Sequence, residues 1–415
     1  MSMDPPAPGA RTAATQAADV VVVGGGMVGA SLAALLGRRG LDVVLVEEQP
    51  ATSADTPAAA PPDLRVSSVN LASVELFRAV GAWEPMTQHR VCPFRRVHAM
   101  DEHGGVLRFD ARETGHDWFG WFVENRVILS GLREALAGVD TVRWITAAPV
   151  TLETDADRAR LGLDNGLRLH APLVVGADGA GSSIRGLAGI DVTARDYQTR
   201  ALVTNVETEL PQQDITWQRF TPEGPQAFLP LCGHRASLVW YARPETVQLL
   251  ESLDDETLIA EITDAFPAEL GGLRAVTGRA SFAIRSQHAT RYTGSRIALV
   301  GDAAHTIHPL AGQGLNLGLE GVNRLAAAIL DARKHRRDPG TAVALADYER
   351  RHRPRALTMI AATDTLHRLF TAEAGVLPRL GNGVLRLADR LPPGRRAVMR
   401  HAMGLTPAGS HRPVP

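Results

Sequence analysis

Three glycines, Gly24, Gly26 and Gly29, carry the first chemistry legible in this chain. In the spacing Gly-x-Gly-x-x-Gly between an apolar run and a helical pattern, the first glycine allows a tight turn and the second lets backbone approach a pyrophosphate. The third allows helix to pack closely on strand. The N-terminus of the following helix then favours phosphate charge. Glu47 stands 18 positions beyond Gly29, at the end of a second apolar run, where a carboxylate can accept hydrogen bonds from an adenosine ribose. These residues describe a dinucleotide site with NAD and FAD both open; the other reading is a glycine turn in an unrelated α/β fold. Two more acids end apolar runs: Asp178 in 174–179 (VVGADG) and Asp302 in 297–305 (IALVGDAAH). Open α/β sheets bind ligands at strand carboxyl ends, although each acid alone could belong to an ordinary Asx turn. In 308–318 (HPLAGQGLNLG) a proline and glycine loop leads into a helix, and Gly314, Gly318 and Gly321 leave one face of that helix bare. Open N–H groups at Gly314 to Asn316 suit the negative charge of a reduced flavin, and close helix–sheet packing is the alternative.

The elements that must position these residues follow from hydrophobic periodicity. Residues 19–23, 42–46 and 173–176 are continuous apolar runs of the kind buried in parallel sheets, and the pattern after Gly29 is helical up to Gly40. Strand, turn, helix and strand make a βαβ unit. Residues 51–63, rich in Pro, Ala and Thr, read as a loop, 70–80 as a helix stopped by Gly81, and 126–137 as an amphipathic helix. Alternating runs at 201–206, 215–220, 226–231 and 236–241 predict an antiparallel region with one helix near 256–266. A buried strand at 297–300 and helices over 315–332 and 342–370 follow. The predicted fold class is α/β: a Rossmann-like nucleotide-binding domain with a parallel sheet, interrupted by a β-rich substrate domain, plus a helical C-terminal segment. Its predicted parts are a disordered leader (1–18), a discontinuous nucleotide-binding domain (19–80, 120–195 and 291–340), a β-rich domain (81–119 and 196–290), C-terminal helices (341–405) and a tail (406–415).

Composition narrows the function. With 415 residues, 45% hydrophobic and 21% charged, the chain can bury two sizeable cores. Lys plus Arg is 44 and Asp plus Glu 45, which removes the basic excess of nucleic-acid binders. Lys334 is the only lysine, so no glycine-rich loop has a phosphate-binding lysine. Cys92 and Cys232, 140 positions apart, are too few for a disulfide framework, a four-cysteine zinc site or an iron–sulfur cluster, and they fit a reduced cytoplasm. No apolar run approaches the ~18 residues that span a bilayer, so any membrane contact is expected to be peripheral. His305 and His308 lack a neighbouring acidic cluster, so no metal is expected. There is no CxxC, and no second GxGxxG to give a nicotinamide donor its own domain.

The set GGGMVG, Glu47, VVGADGAGSSIR, RIALVGDAAH and HPLAGQGLNLG, with 63–73 (DLRVSSVNLAS), 123–129 (VENRVIL) and 216–231 (TWQRFTPEGPQAFLPL), resembles the FAD-dependent aromatic-ring monooxygenases, and within them the ubiquinone-biosynthesis hydroxylase family. The likeness runs from Asp19 to about Leu405. Residues 216–231 most resemble the demethoxyubiquinol hydroxylase branch and 387–405 the polyprenylphenol hydroxylase branch, which leaves the branch open. The resemblance implies that Gly24, Gly26 and Gly29 approach the FAD pyrophosphate, Glu47 the adenosine ribose and Asp302 the ribityl chain. Pro309, Gly312, Gln313, Gly314, Leu315 and Asn316 would line the isoalloxazine. Arg65 and Arg126 would lie near the flavin or its phosphates, and Asp178 and Gly179 would serve both FAD and the transient donor NAD(P)H. The chain departs from the family at Gly181, usually Asn, and at Glu320, usually Asp.

The implied activity is hydroxylation of a polyprenylated phenol or quinol with NAD(P)H and O2, and no catalytic side chain is assigned. Alternatives within the same scaffold are a hydroxylase of soluble aromatics, a reductase of isoprenoid double bonds, or a non-catalytic subunit of a quinone-synthesis complex. The implied location is the cytoplasm, with peripheral contact at the inner face of the membrane. Leu377, Leu380, Val384, Leu387 and Leu391, with Arg379, Arg386, Arg390, Arg395, Arg396 and Arg400, form a basic amphipathic segment. It would meet a lipid surface or a partner, or dock on the protein itself.

Overall fold

The computed structural model describes residues 14–50, 62–101, 105–309, 312–370 and 392–405. Its centre is a six-stranded sheet in the order Thr293–Gly294, Ile297–Leu299, Leu173–Gly176, Val20–Val23, Val43–Glu47, Val142–Thr146. All neighbours are parallel except the first pair. Val20, Val21, Val22, Val43 and Val44 are wholly buried, as continuous apolar runs must be when both faces of a sheet are covered. On one side pack the helices Met27–Arg38, Asn125–Ala137 and Gly314–Lys334. Leu161 and Leu169, from a small four-stranded sheet, join the same core.

That small sheet corrects one expectation. Thr15–Ala17, read as part of a disordered leader (1–18), form a strand parallel to Arg168–Ala171, with Thr15 opposite Arg168. Three residues carry no detectable period, and what orders them is the free edge of a strand about 150 positions away. Residues 1–13 lie outside the described part of the chain, as do 51–61 and 371–391.

The second large sheet has eight strands: His305–Thr306, Leu273–Ala289, Val192–Thr208, Arg235–Ala242, Gly224–Leu231, Ile215–Thr221, Arg96–Asp101, Val106–Asp110. It is antiparallel apart from the pairing of Ile215–Thr221 with Arg96–Asp101. The four predicted strands within 201–241 all occur in it. Helices Pro244–Ser252 and Asp255–Ala265 cover one face through Val247, Leu250, Leu258 and Ile262 packed on Leu202, Val206, Phe228 and Leu238. A three-stranded sheet of Val66–Asn70, Gly120–Glu124 and Val91–Phe94 is the third strand system around the site.

The predicted helix over 70–80 is Leu71–Ala79, with Asn70 as its cap: the Asn70 side chain accepts from the Ser73 N–H at 3.0 Å. Of the basic amphipathic segment, only its end is described. Helix Pro392–Ala402 docks on the protein itself, Met399 and Met403 wholly buried against Cys92, Phe94, Ala111, Phe119 and Phe122, while Arg395 pairs with Glu113 at 2.6 Å. For these residues the internal-docking alternative holds; Leu377, Leu380, Val384, Leu387, Leu391, Arg379, Arg386 and Arg390 lie outside the described chain. Met399→Ala is therefore expected to destabilise the protein by about 2–3 kcal/mol. Urea unfolding checks this, and an unchanged midpoint would show that the helix contributes nothing to the fold.

Candidate cofactor site

Strand register brings the sequence motifs to one edge. Val23 pairs with Val46 on one side and Gly176 on the other, and Gly176 pairs with Leu299. The chain therefore leaves the sheet at Gly24, at Glu47, at Ala177 and Asp178, and at Val300 and Gly301, all at the carboxyl edge.

The three fingerprint glycines divide their labour. Gly24 sits at φ +105°, and a Cβ there would lie 2.4 Å from the Ala177 carbonyl oxygen. A Cβ on Gly29 would fall 1.9 Å from the Gly24 oxygen, so the helix is flush against the turn. Around Gly26 nothing lies within 4 Å of the Cβ position, and Gly26 caps its helix without any side-chain hydrogen bond. Bare amides at an open helix N-terminus suit an anion. Glu47 Oε2 accepts from the Gly25 N–H at 2.6 Å and Oε1 from the Gln49 N–H at 3.0 Å, which fixes the carboxylate beside the turn.

The two strand-end acids differ. Asp178 is committed to its own loop: its carboxylate accepts from Ser182 Oγ at 2.5 Å and from the Ile184 N–H at 3.0 Å, the Asx-type arrangement. Asp302 has no side-chain partner among the described residues. Its side chain is exposed, yet surrounding protein desolvates it enough to raise its carboxyl to about 6. An exposed group crowded on most sides stands in a concave recess. Arg185 and Gln287, to which the sequence reading gave no role, strap this recess. Arg185 donates to the Ala303 and Ala180 oxygens at 3.0 and 2.8 Å, and Gln287 Nε2 to the Ala180 and Asp302 oxygens at 2.6 and 3.4 Å. Their targets are backbone oxygens brought together only by folding.

The loop into helix Gly314–Lys334 folds on itself through Gly312 N–H to the Pro309 oxygen (3.0 Å), with Gly312 at φ +62° against Ser68. Leu310 and Ala311 lie outside the described residues. Gln313 stands at the cap position but its side chain makes no capping hydrogen bond to the first turn, and around the Gly314 Cβ position there is open space. Leu315 is partly buried on the core. Asn316 is buried, its Oδ1 accepting from the Asn70 N–H (3.0 Å) and Ser73 Oγ (2.8 Å) and its Nδ2 donating to the Ser68 oxygen (2.9 Å). Its side chain thus anchors the helix to the three-stranded sheet. The bare glycine face splits in the same way. Gly318 packs on Val28, with 3.0 Å left to a Cβ, and Gly321 on His352 Nε2 at 2.7 Å, so only Gly314 remains open.

Arg126 and Arg65 part company. Arg126 is bound to the buried Glu124 at 2.9 Å, and Arg90 closes a two-pronged pair on the same carboxylate at 2.6 and 3.0 Å. Burial alone would raise Glu124, but the Arg90 hydrogen bond, the Asp63 N–H and the two guanidinium charges outweigh it and hold the carboxyl below its ordinary range. Arg65 is exposed and pairs with no described acid, leaving its charge available. His305 and His308 diverge: His305 Nε2 meets His352 Nε2 at 3.0 Å, whereas His308 packs among Tyr197, Tyr241 and His367. Burial pushes both histidines down to about 4.

A strand-end recess with two uncapped helix N-termini and an unpartnered carboxylate is a place for a dinucleotide. The family model described as FAD binding domain matches residues 17–363 of this chain. The chain belongs to this FAD-binding family. Among relatives of the FAD-binding chain, the 3-demethoxyubiquinol 3-hydroxylase of Escherichia coli (strain K12) is 36% identical, over 94% of this chain and 99% of its own length. The ubiquinone hydroxylase UbiL of Rhodospirillum rubrum is 37% identical over 99% and 95%. The crystal structure of p-nitrophenol 4-monooxygenase PnpA from Pseudomonas putida DLL-E4 shares the fold, with a TM-score of 0.75 at 20% identity over 95% of this chain and all of that one. The residues present fit FAD: Gly26 and Gly314 leave open space at helix N-termini, and Asp302 offers a carboxylate that nothing in the described protein uses.

Proposed function

We propose that this protein is an FAD-dependent monooxygenase that uses NAD(P)H and O2 to hydroxylate the aromatic ring of a polyprenylated phenol or quinol in ubiquinone biosynthesis. The observation that carries the reading is the carboxyl-edge recess around Asp302, joined to 36–37% identity with two ubiquinone-pathway hydroxylases along nearly the whole chain. Bound FAD would supply electron transfer from NAD(P)H and activation of O2. The chain's own residues bind and orient it. The Gly26 turn and the amides after it hold the pyrophosphate, Glu47 lies toward the ribose and Asp302 accepts from the ribityl hydroxyls. The Gly312–Asn316 turn presents its N–H groups to the ring, and Asn316 acts there by anchoring the helix. Arg65 and the ion-paired Arg126 provide positive charge near the flavin or its phosphates. Asp178, with Gly179, shapes the loop 178–184 at which FAD and the transient nicotinamide donor meet.

In this reading segments 19–80, 120–195 and 291–340 carry the cofactor, and 81–119 with 196–290 cover the substrate. Among the described residues no helix is long and apolar enough to cross a membrane. We place the protein in the cytoplasm, meeting its lipid substrate at the inner membrane face or within a quinone-synthesis complex, because a polyprenyl chain partitions into lipid.

Turnover under labelled dioxygen tests the reaction. One labelled oxygen atom is expected in the ring of the quinol product, with NAD(P)H oxidised faster when the aromatic substrate is present. A reduced product without label, or the same oxidation rate with and without the aromatic, would overturn it.

A further inference from the structure

Only two cysteines occur in the chain, and folding places them together. Cys92 lies in strand Val91–Phe94 of the three-stranded sheet, and Cys232 directly follows strand Gly224–Leu231 of the eight-stranded one. The two strands touch, and both cysteines belong to one apolar cluster with Phe94, Phe122, Leu231, Met399 and Met403. Within that cluster the two thiols interact with each other, 140 positions apart in sequence. We propose that Cys92 and Cys232 are a modification site: a dithiol that hydrogen peroxide closes into a disulfide within the chain, joining the two sheets.

The two sulfurs have unequal surroundings, which assigns their roles. Cys92 is buried, and its interaction with Cys232, together with burial, raises its thiol well above the ordinary range. Cys232 is half-buried, and the same interaction lowers it against burial and the Glu124 carboxylate, helped by the Arg90 and Arg235 guanidinium charges. Cys232 therefore reacts first, as low-pKa, partly accessible thiols do. Its thiolate attacks one peroxide oxygen, the O–O bond breaks, and sulfenic acid and water form. The Cys92 sulfur then attacks the sulfenic sulfur, its proton leaves with the departing oxygen, and a second water is released. Two thiols lose two electrons and one peroxide gains them. The inference is independent of the proposed function, because it concerns the protein's own thiols and names its oxidant.

The test uses FAD-loaded native protein exposed to hydrogen peroxide, alkylated and digested with trypsin without reductant. The expected product is a single species joining the peptides 91–95 and 220–235, two hydrogens lighter than their sum and released by dithiothreitol. The protein should keep the mobility of one chain on a denaturing gel. Cys92→Ser should stop at a sulfenic acid on Cys232 that dimedone captures, and Cys232→Ser should leave Cys92 unreactive. Free alkylation of both cysteines after peroxide treatment, or linkage only between two chains, would overturn the proposal. The native protein decides the matter even where a variant fails to fold.

Discussion

Asp302→Ala lowers FAD affinity by about 10- to 100-fold, the loss expected when a hydroxyl gives up a charged acceptor. The carboxylate is unpartnered among the described residues and stands in the recess at the end of strand Ile297–Leu299. A second consequence concerns the cofactor-free protein. Crowding raises the Asp302 carboxyl from 3.8 to about 6 in the folded state, so ionisation there is less favourable than in the unfolded chain. The penalty is absent below the unfolded value, grows as pH rises from about 4 to about 6, and is complete above that. Asp302→Asn carries no such penalty. The cofactor-free variant should melt above the parent at pH 7 to 8, and the difference should close near pH 4. FAD binding by the parent should weaken as pH falls through about 6, because the protonated acid is a poorer acceptor. Flavin fluorescence titration and melting at several pH values measure both effects. Unchanged affinity in Asp302→Ala would move the ribityl contact elsewhere, and identical melting at pH 8 would show that Asp302 is well solvated.

Gly29→Ala and Gly26→Ala should fail in opposite ways, although they differ by three positions in one motif. At Gly29 the added methyl would sit 1.9 Å from the Gly24 oxygen, with Ala177 also within 3.0 Å, and neither neighbour is a flexible side-chain end. The helix would have to shift off the sheet, at a cost of at least about 4 kcal/mol, most of the stability of a marginally stable protein. At Gly26 no atom lies within 4 Å, so the cofactor-free fold should keep its melting temperature within a degree or two, as surface substitutions do. Its methyl would instead occupy the space through which a pyrophosphate reaches the first-turn amides, and FAD should be lost. Circular dichroism and flavin content separate the two outcomes. A Gly29→Ala as stable as the parent, or a Gly26→Ala that purifies with full flavin, would refute the division of roles.

The sequence by itself determined the element types and the site's address. Valine runs buried on both faces could only be inner strands of a parallel sheet, and the strict spacing of Gly24, Gly26 and Gly29 fixed a turn whose close contacts the structure reproduces. The alternating runs between 201 and 241 and the helix starting at Gly314 were legible for the same reason: periodicity and turn chemistry act over a few residues. Where a polar side chain spends its hydrogen bonds was settled only by what folding brings beside it. Asn316 turns inward because Ser68, Asn70 and Ser73, some 240 positions earlier, offer it three bonds. Asp178 closes its own loop while Asp302, at an equivalent strand end, stays free. Gly318 and Gly321 serve packing because Val28 and His352 fill the space before them, and the strand at Thr15–Ala17 exists because a distant edge accepts it. Local pattern fixes what an element is; burial and satisfied hydrogen bonds, which depend on the whole chain, fix what each side chain does.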